Sequence, residues 1–529
     1  MPNRLQLIGA ASAKDIREIA YAELKDLTGK TEAASPSTQA PLENCCKAVA
    51  TSGVAAVLVQ RKVQDPDFSA EFAAYYSRQF ASVPKQCTRL HLFSVAPASP
   101  NETVLDFLDR ISPADYLGFI TLRPVIKSPV GATILSSSIT GGFIRSDDSF
   151  PVHIAGKELS VRGTPFMQQD NAVGACAQAS IWMALRTLRK REGDRAYDPA
   201  QITDAATRYF VTGRTRPNRG GLTQQQMTEA IRAAGYSPHL MPLGDFWYSN
   251  GHPAMSDDQL DSALRAIHPY VESQIPVVLI LFPPSGGGHA VVAIGHTWTD
   301  NPQAPVKVKV NRGNGKAFRF THAASWTPSL IVHNDNTGPY RLLDRRNPAD
   351  YSLEHGASAI PLLPTDVFMS AEEAFELGLQ VVSSLFDGFV TAKLRTDAEM
   401  EALTDSLVVR LSLVDKRKIR QWAAVNPMSP ELREELRLME LPKRLWAFEL
   451  HLASRYPQHG HAIQNSLIGL VLIDSTGDDV ASSPLLMHMN LPELFPQLQS
   501  GAIVKWDSTT GLPDASVKTN EQGATLPVR

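Results

Sequence analysis

Apolar residues recur along this chain at two spacings. Where they return every third or fourth position they line one face of a helix, and where they alternate or run unbroken for a short span they mark a strand. Residues 14–27 set Ile16, Ile19, Ala20 and Leu24 on one side and Asp15, Arg17, Glu18 and Lys25 largely on the other, which predicts an amphipathic helix. Residues 30–41, small and proline-containing, read as a linker. A strand at 54–59 follows, then a helix over 70–81 carrying Phe72, Tyr75, Tyr76 and Phe80. Residues 116–124 form a strand stopped by Pro124, with 131–135 as its neighbour. In the middle of the chain Ala177, Ile181, Ala184, Leu185 and Leu188 keep helical spacing. Two more helices are predicted at 224–234, closed by Gly235, and at 256–267, with Asp257 and Asp258 in the first turn. Unbroken apolar runs at 275–282 and 289–296, separated by the short loop 283–288, predict two buried strands paired as a hairpin. A strand at 329–333 ends in the turn Asn334-Asp335-Asn336-Thr337-Gly338. Further on, 371–386 reads as a helix and 444–450 and 467–474 as strands.

With 529 residues the chain is too long for one core, and this order of helices and strands predicts an α+β protein of several domains. The expected division is a mixed α/β N-terminal region at 1–150, a middle domain at 151–355, a C-terminal α+β region at 356–506 and a flexible tail at 507–529, where large apolar residues are scarce. Hydrophobic residues at 43% and charged residues at 20% fit a globular chain in water. No apolar run approaches the roughly 20 residues of a membrane span, and none near the N-terminus resembles a signal segment. A cytoplasmic protein without a membrane partner is therefore expected, and the sequence sets no oligomeric state. The formal net charge of -3 gives no reason to expect nucleic acid. The local basic run from Arg186 to Arg219 has the ordinary meaning of a solvated face. Four cysteines make no disulfide framework. Cys45, Cys46 and Cys87, with His91 nearby, lack the spacing of the common zinc motifs, so no metal site is expected.

Cys176 stands where turn formers give way to helical periodicity. At a helix start, unpaired N–H groups and the helix dipole favour a thiolate, the reactive form of cysteine. The ordinary meaning of such a cysteine is a small buried hydrophobe, so its partners must decide. Gln168 and Gln169, just upstream, add neutral donors, one of which can hold a developing oxyanion. His289 opens a core strand after Gly286, Gly287 and Gly288, whose missing side chains allow a close approach of another chain. Asn334 and Asp335, at a later strand end, supply an amide or an acid. Cysteine, then histidine, then an orienting group is the order of a nucleophile, its base and the residue that holds the base.

Gln169, Gly174-Ala175-Cys176-Ala177-Gln178-Ala179-Ser180, Gly288-His289-Ala290-Val291-Val292 and Asn334-Asp335 together resemble the papain-like cysteine peptidase superfamily, and within it the bacterial branch that includes peptidases processing bacteriocin leaders. The resemblance covers roughly residues 165–343, inside the expected middle domain. It implies a thiol peptidase that cleaves a peptide or isopeptide bond in a peptide or protein substrate, without metal or organic cofactor. By the same resemblance Cys176 is the nucleophile, His289 the base, Asp335 the group that orients the imidazole, and Gln169 the oxyanion donor. Two departures limit the transfer. Of papain's glycine, serine, cysteine, tryptophan signature only Gly174 and Cys176 remain, so papain's substrate preference does not carry over. The family's glutamine position falls at Asp170, which leaves Gln169, the nearer residue, preferred to Gln168. The same parts also serve acyl transfer to an amine, as in transglutaminases, and a catalytically inactive binding protein would keep the fold without the chemistry.

Overall fold

The computed structural model describes residues 4–29, 36–80, 82–170, 176–193, 197–209, 221–244, 254–283, 286–313, 315–347, 351–426, 428–456, 466–477, 483–495, 501–506 and 517–519. The architecture is mixed α+β, and the chain falls into two compact units. The first comprises Met1–Ala254, Gln274–Thr297 and Ser329–Leu362; the second comprises Met255–Ser273, Trp298–Pro328 and Leu363–Arg529. This division differs from boundaries near 150 and 355. The N-terminal and middle segments share one unit, because their apolar faces close on one core.

That core explains the first unit. A six-stranded antiparallel sheet runs in the order Leu5–Gly9, Ala56–Val63, Cys87–Phe93, Tyr116–Leu122, Thr133–Leu135, Pro165–Phe166. A second sheet has the order Tyr236–Pro238, Gly356–Pro364, Val277–Leu281, His289–His296, Ser329–Asn334, Gly338–Asp344, with Phe143–Ile144 also paired to His289–His296. Val57, Leu90 and Ile120 of the first sheet join Val278, Val292 and Ile294 of the second in a single apolar cluster. The helix Cys176–Glu192 contributes Ile181, Trp182, Ala184 and Leu185 to it, all buried. Burying one side chain of this size contributes about 1.5–3 kcal/mol, so the helix is fixed by packing before any of its polar contacts is counted.

The predicted hairpin is present: Val277–Leu281 pairs antiparallel with His289–His296, Leu281 opposite His289. Thr133–Leu135 pairs with Tyr116–Leu122 as expected. The linker reading of 30–41 is corrected over its described part, since the helix Pro36–Thr51 runs through Pro41. Leu42, Cys45, Cys46 and Val49 follow at helical spacing and are buried, which offsets the roughly 3 kcal/mol that an interior proline costs. Likewise the helix Asp257–Glu272 continues past 267 and through Pro269, with Tyr270 and Val271 buried.

In the second unit an eight-stranded sheet has the order Lys307–Gly313, Lys316–His322, Leu407–Asp415, Arg444–Leu452, Leu467–Asp474, Pro484–Met489, Gly501–Lys505, Val517–Thr519. Lys316–His322 and Leu407–Asp415 pair in parallel, the other neighbours antiparallel. The helices Asp257–Glu272, Ala371–Thr391, Asp397–Asp405, Lys416–Val425 and Pro430–Leu438 belong to the same unit. Most of the tail expected at 507–529 lies outside the described residues, but Val517–Thr519 is a paired strand, not a free segment. No helix among the described residues is long and apolar enough to cross a membrane.

Candidate active site

Cys176 is the first residue of its helix, as its periodicity predicts. Two hydrogen bonds to one residue hold that helix start against the His289 strand. The Ala290 N–H donates to Cys176 Sγ at 3.3 Å, and Ser180, one turn later, donates its hydroxyl to the Ala290 carbonyl at 2.9 Å. The sulfur therefore lies beside the residue that follows His289. A third fixing contact, from Trp182 Nε1 to Asp67 Oδ1 at 3.0 Å, locks the next turn of the helix.

His289 is buried at the first position of its strand. Of the three glycines before it, Gly288 shows the close approach expected, since a Cβ there would meet the Phe282 ring at 3.2 Å, whereas the other two act differently. Gly286 and Gly287 adopt φ of 87° and 82°, the left-handed region that other residues enter only with strain, and a Cβ on either would meet nothing within 4 Å. Gly286 and Gly287 turn the chain and make no room for another segment.

The strand Ser329–Asn334 pairs with the His289 strand, His333 opposite Val292, and this register carries its end to the imidazole. Asn334 Oδ1 accepts from His289 Nε2 at 2.9 Å. The expected orienting group, Asp335, lies farther off, with Oδ1 3.7 Å from Nε2. The assignment is corrected at the level of geometry: the hydrogen bond falls to Asn334, because successive residues at a strand end diverge and Asn334 is the last one still paired in the sheet. Asp335 is nevertheless fully buried, and neither carboxylate oxygen has a hydrogen-bond partner among the described residues. Burial raises its pKa from 3.8 to about 6, opposed by the neighbouring His289.

The thiol departs from the thiolate expected at a helix start. Burial, and secondarily the charge of Asp335, push Cys176 up to about 12 despite backbone N–H groups that favour the anion. Desolvation outweighs the helix end here. Cys45, Cys46 and Cys87 are more deeply buried, and burial raises all three thiols. His91 is held by Tyr116 and Gln60, and among the described residues no group of three or more His, Cys, Asp or Glu side chains is placed for a metal ion.

Gln169 and Gln168 separate clearly. Gln168 is buried and its side-chain oxygen accepts from the Val130 N–H at 3.2 Å, which makes it part of the scaffold. Gln169 reaches the site: its Nε2 donates to Asn336 Oδ1 at 2.9 Å. Asp170 is buried and accepts from the Tyr76 hydroxyl. Two residues not singled out from the sequence complete the arrangement. Asn336 Nδ2 lies 3.4 Å from His289 Nδ1 and 3.4 Å from Tyr351 Oη, and the Tyr351 ring stacks on the imidazole with centroids 4.6 Å apart. Asn336 sits two residues past Asn334 in the turn, a local signal that was available; Tyr351 carried none. His333, the neighbouring histidine, spends both ring nitrogens on Thr164 and Tyr340, and burial lowers it to about 3.

Arg186, Arg189 and Arg191 of the basic run are engaged within the unit by Asp67, Ala234 and Gln274; Arg214, Arg216 and Arg219 lie outside the described residues. A cavity of about 480 Å³ lined by Arg89, Phe119, Trp182 and Arg186 includes none of the site residues. Compared with known protein families and with curated proteins, the chain matches none.

Proposed function

We propose that this protein is a thiol-dependent hydrolase of amide bonds, a peptidase of papain-like design acting on a peptide or protein. The observation that supports this reading is that Cys176 Sγ lies against the backbone of Ala290, the residue after His289, while His289 Nε2 is bonded to Asn334 from a third part of the chain. That bond defines the tautomer. An Nε2–H donating to Asn334 leaves Nδ1 as the basic nitrogen, the role a general base needs. His289 takes the thiol proton as Cys176 attacks a carbonyl carbon, and Gln169 supplies an N–H toward the developing oxyanion. Because the resting thiol is held up at about 12, deprotonation accompanies attack and is not completed before it. Asp335 sits where its charge favours the imidazolium formed in that step.

The raised thiol also favours a second reading, a papain-like binding protein without activity. Mass spectrometry after a short exposure to iodoacetamide separates the two. Cys176, the one half-buried thiol of the four, should be alkylated first and its reaction slowed by His289→Ala. A folded protein in which Cys176 stays unmodified while the others react is the binding protein.

A further inference from the structure

Asn336 is not a bystander. Its carboxamide oxygen rests on Gln169 Nε2, and its nitrogen faces His289 Nδ1 and Tyr351 Oη. In the proposed reaction Gln169 is the donor awaiting the substrate's carbonyl oxygen, and His289 is the group that protonates the departing nitrogen. A side-chain carboxamide thus makes, in the resting protein, the contacts a substrate amide would make. The nitrogen end carries the discrimination. A primary carboxamide has two N–H bonds, matching the two acceptors His289 Nδ1 and Tyr351 Oη. A peptide nitrogen has one N–H, and its carbon substituent would have to lie against the tyrosine oxygen or the imidazole. The backbone N–H of Asn336, bonded to Asn334 Oδ1 at 2.9 Å, sets the turn that delivers the side chain. Gln169, Cys176, Asn336 and Tyr351 are half-buried whereas His289, Asn334 and Asp335 are buried, so the occupied seat is on the solvent side of the base.

We infer that the site takes primary carboxamides, the glutamine or asparagine side chains of a peptide or protein, and that Asn336 holds their seat until one displaces it. This rests on the reading of Cys176 and His289 as nucleophile and base. Cys176 Sγ bonds to the carboxamide carbon as its proton passes to His289 Nδ1. The C–N bond then breaks, the nitrogen takes that proton and leaves as ammonia, and a thioester remains. Water adds to the thioester and gives one proton to His289; the C–S bond breaks, the sulfur takes that proton back as the thiol, and a carboxylic acid leaves. The sum is one carboxamide and one water giving one carboxylic acid and one ammonia.

The test uses the full-length protein with denatured casein, reading ammonia release, glutamine-to-glutamate conversion and new amino termini by mass spectrometry, with iodoacetamide labelling of Cys176 run in parallel. Ammonia matching the converted side chains, and lost in Cys176→Ala, supports the inference. Asn336→Ala, which empties the seat, should lower KM by about tenfold, whereas Gln169→Ala should act on kcat. New amino termini without ammonia overturn it and leave the peptidase standing. Neither product from a protein whose Cys176 is alkylated overturns it and leaves the nucleophile standing. A Cys176 that resists alkylation removes the underlying reading and this inference together.

Discussion

Asp335 is the residue whose environment is most at odds with its chemistry. Its carboxyl goes from an ordinary 3.8 to about 6 on folding, so the folded chain binds a proton more tightly than the unfolded one. The stabilisation that follows is complete below pH 3.8 and is lost as the pH rises through 6; above that the fold carries a buried charge. Asp335→Asn should therefore stabilise the protein more at pH 8 than at pH 4, by roughly 2 kcal/mol, in thermal or urea unfolding. An equal shift at both pH values would mean the carboxylate is not held in this state. A cost kept in place at such a position fits a site that gives up stability for function. Asn334 makes the contrasting prediction. It holds the imidazole at 2.9 Å, so Asn334→Ala should lower kcat on casein by about 10² to 10³, and Asp335→Asn by less. The reverse order would return the orienting role to Asp335, the residue the family resemblance favours. Cys176 and His289 were legible in the sequence because each sits at an element boundary marked by local residues. The choice between Asn334 and Asp335 was not, since it depends on which of two adjacent side chains a strand register turns toward a partner 45 residues away.

At the scale of elements, unbroken apolar runs were the most legible feature. The strands His289–His296 and Leu467–Asp474 appear with the bounds read from the sequence. Leu407–Asp415 was missed because Arg410 and Ser412 interrupt its pattern, although both are buried. The helix Pro36–Thr51 is obscured in the sequence by its prolines, which give the composition of a linker, although Leu42, Cys45, Cys46 and Val49 keep helical spacing. The His289 strand also carries a constraint no periodicity shows. At Gly295 its register against Ser329–Asn334 shifts, and Phe143–Ile144 pairs on it. A Cβ at Gly295 would overlap the Phe143 carbonyl oxygen and crowd Ile144 Cα at 2.9 Å. Gly295→Ala should therefore cost about 3 kcal/mol, seen as a lower urea midpoint. An unchanged midpoint would show that Phe143–Ile144 does not lie against the strand.

For the whole molecule, the decisive feature is where the helix Asp257–Glu272 goes. It lies in sequence between strands of the first unit, yet Glu272 pairs with Arg410 Nε at 3.1 Å, and Arg410 Nη1 pairs with Glu449 at 2.6 Å. All three side chains are almost fully buried, in the second unit. Arg410→Met would leave two buried carboxylates without their cation, which costs about 3–5 kcal/mol. The second unit should unfold at lower urea in that variant, followed by tryptophan fluorescence, to which Trp326, Trp422 and Trp446 of that unit contribute, while alkylation of Cys176 in the folded protein keeps its rate. A loss of Cys176 reactivity in parallel would mean that the effect of the substitution is not confined to the second unit. The sequence by itself determined the α+β class, the position and type of most long apolar elements, and the cysteine and histidine on which the proposed chemistry depends. These are properties of neighbours along the chain, set by side-chain periodicity and turn residues. Only the tertiary structure decided that the N-terminal strands share a core with the Cys176 helix, that 255–273 and 298–328 belong to the second unit, and that Asn334, Asn336 and Tyr351 surround the imidazole. Those outcomes depend on which apolar faces meet and in which register, and residues far apart in sequence meet only where burial outweighs the entropy of closing the chain between them.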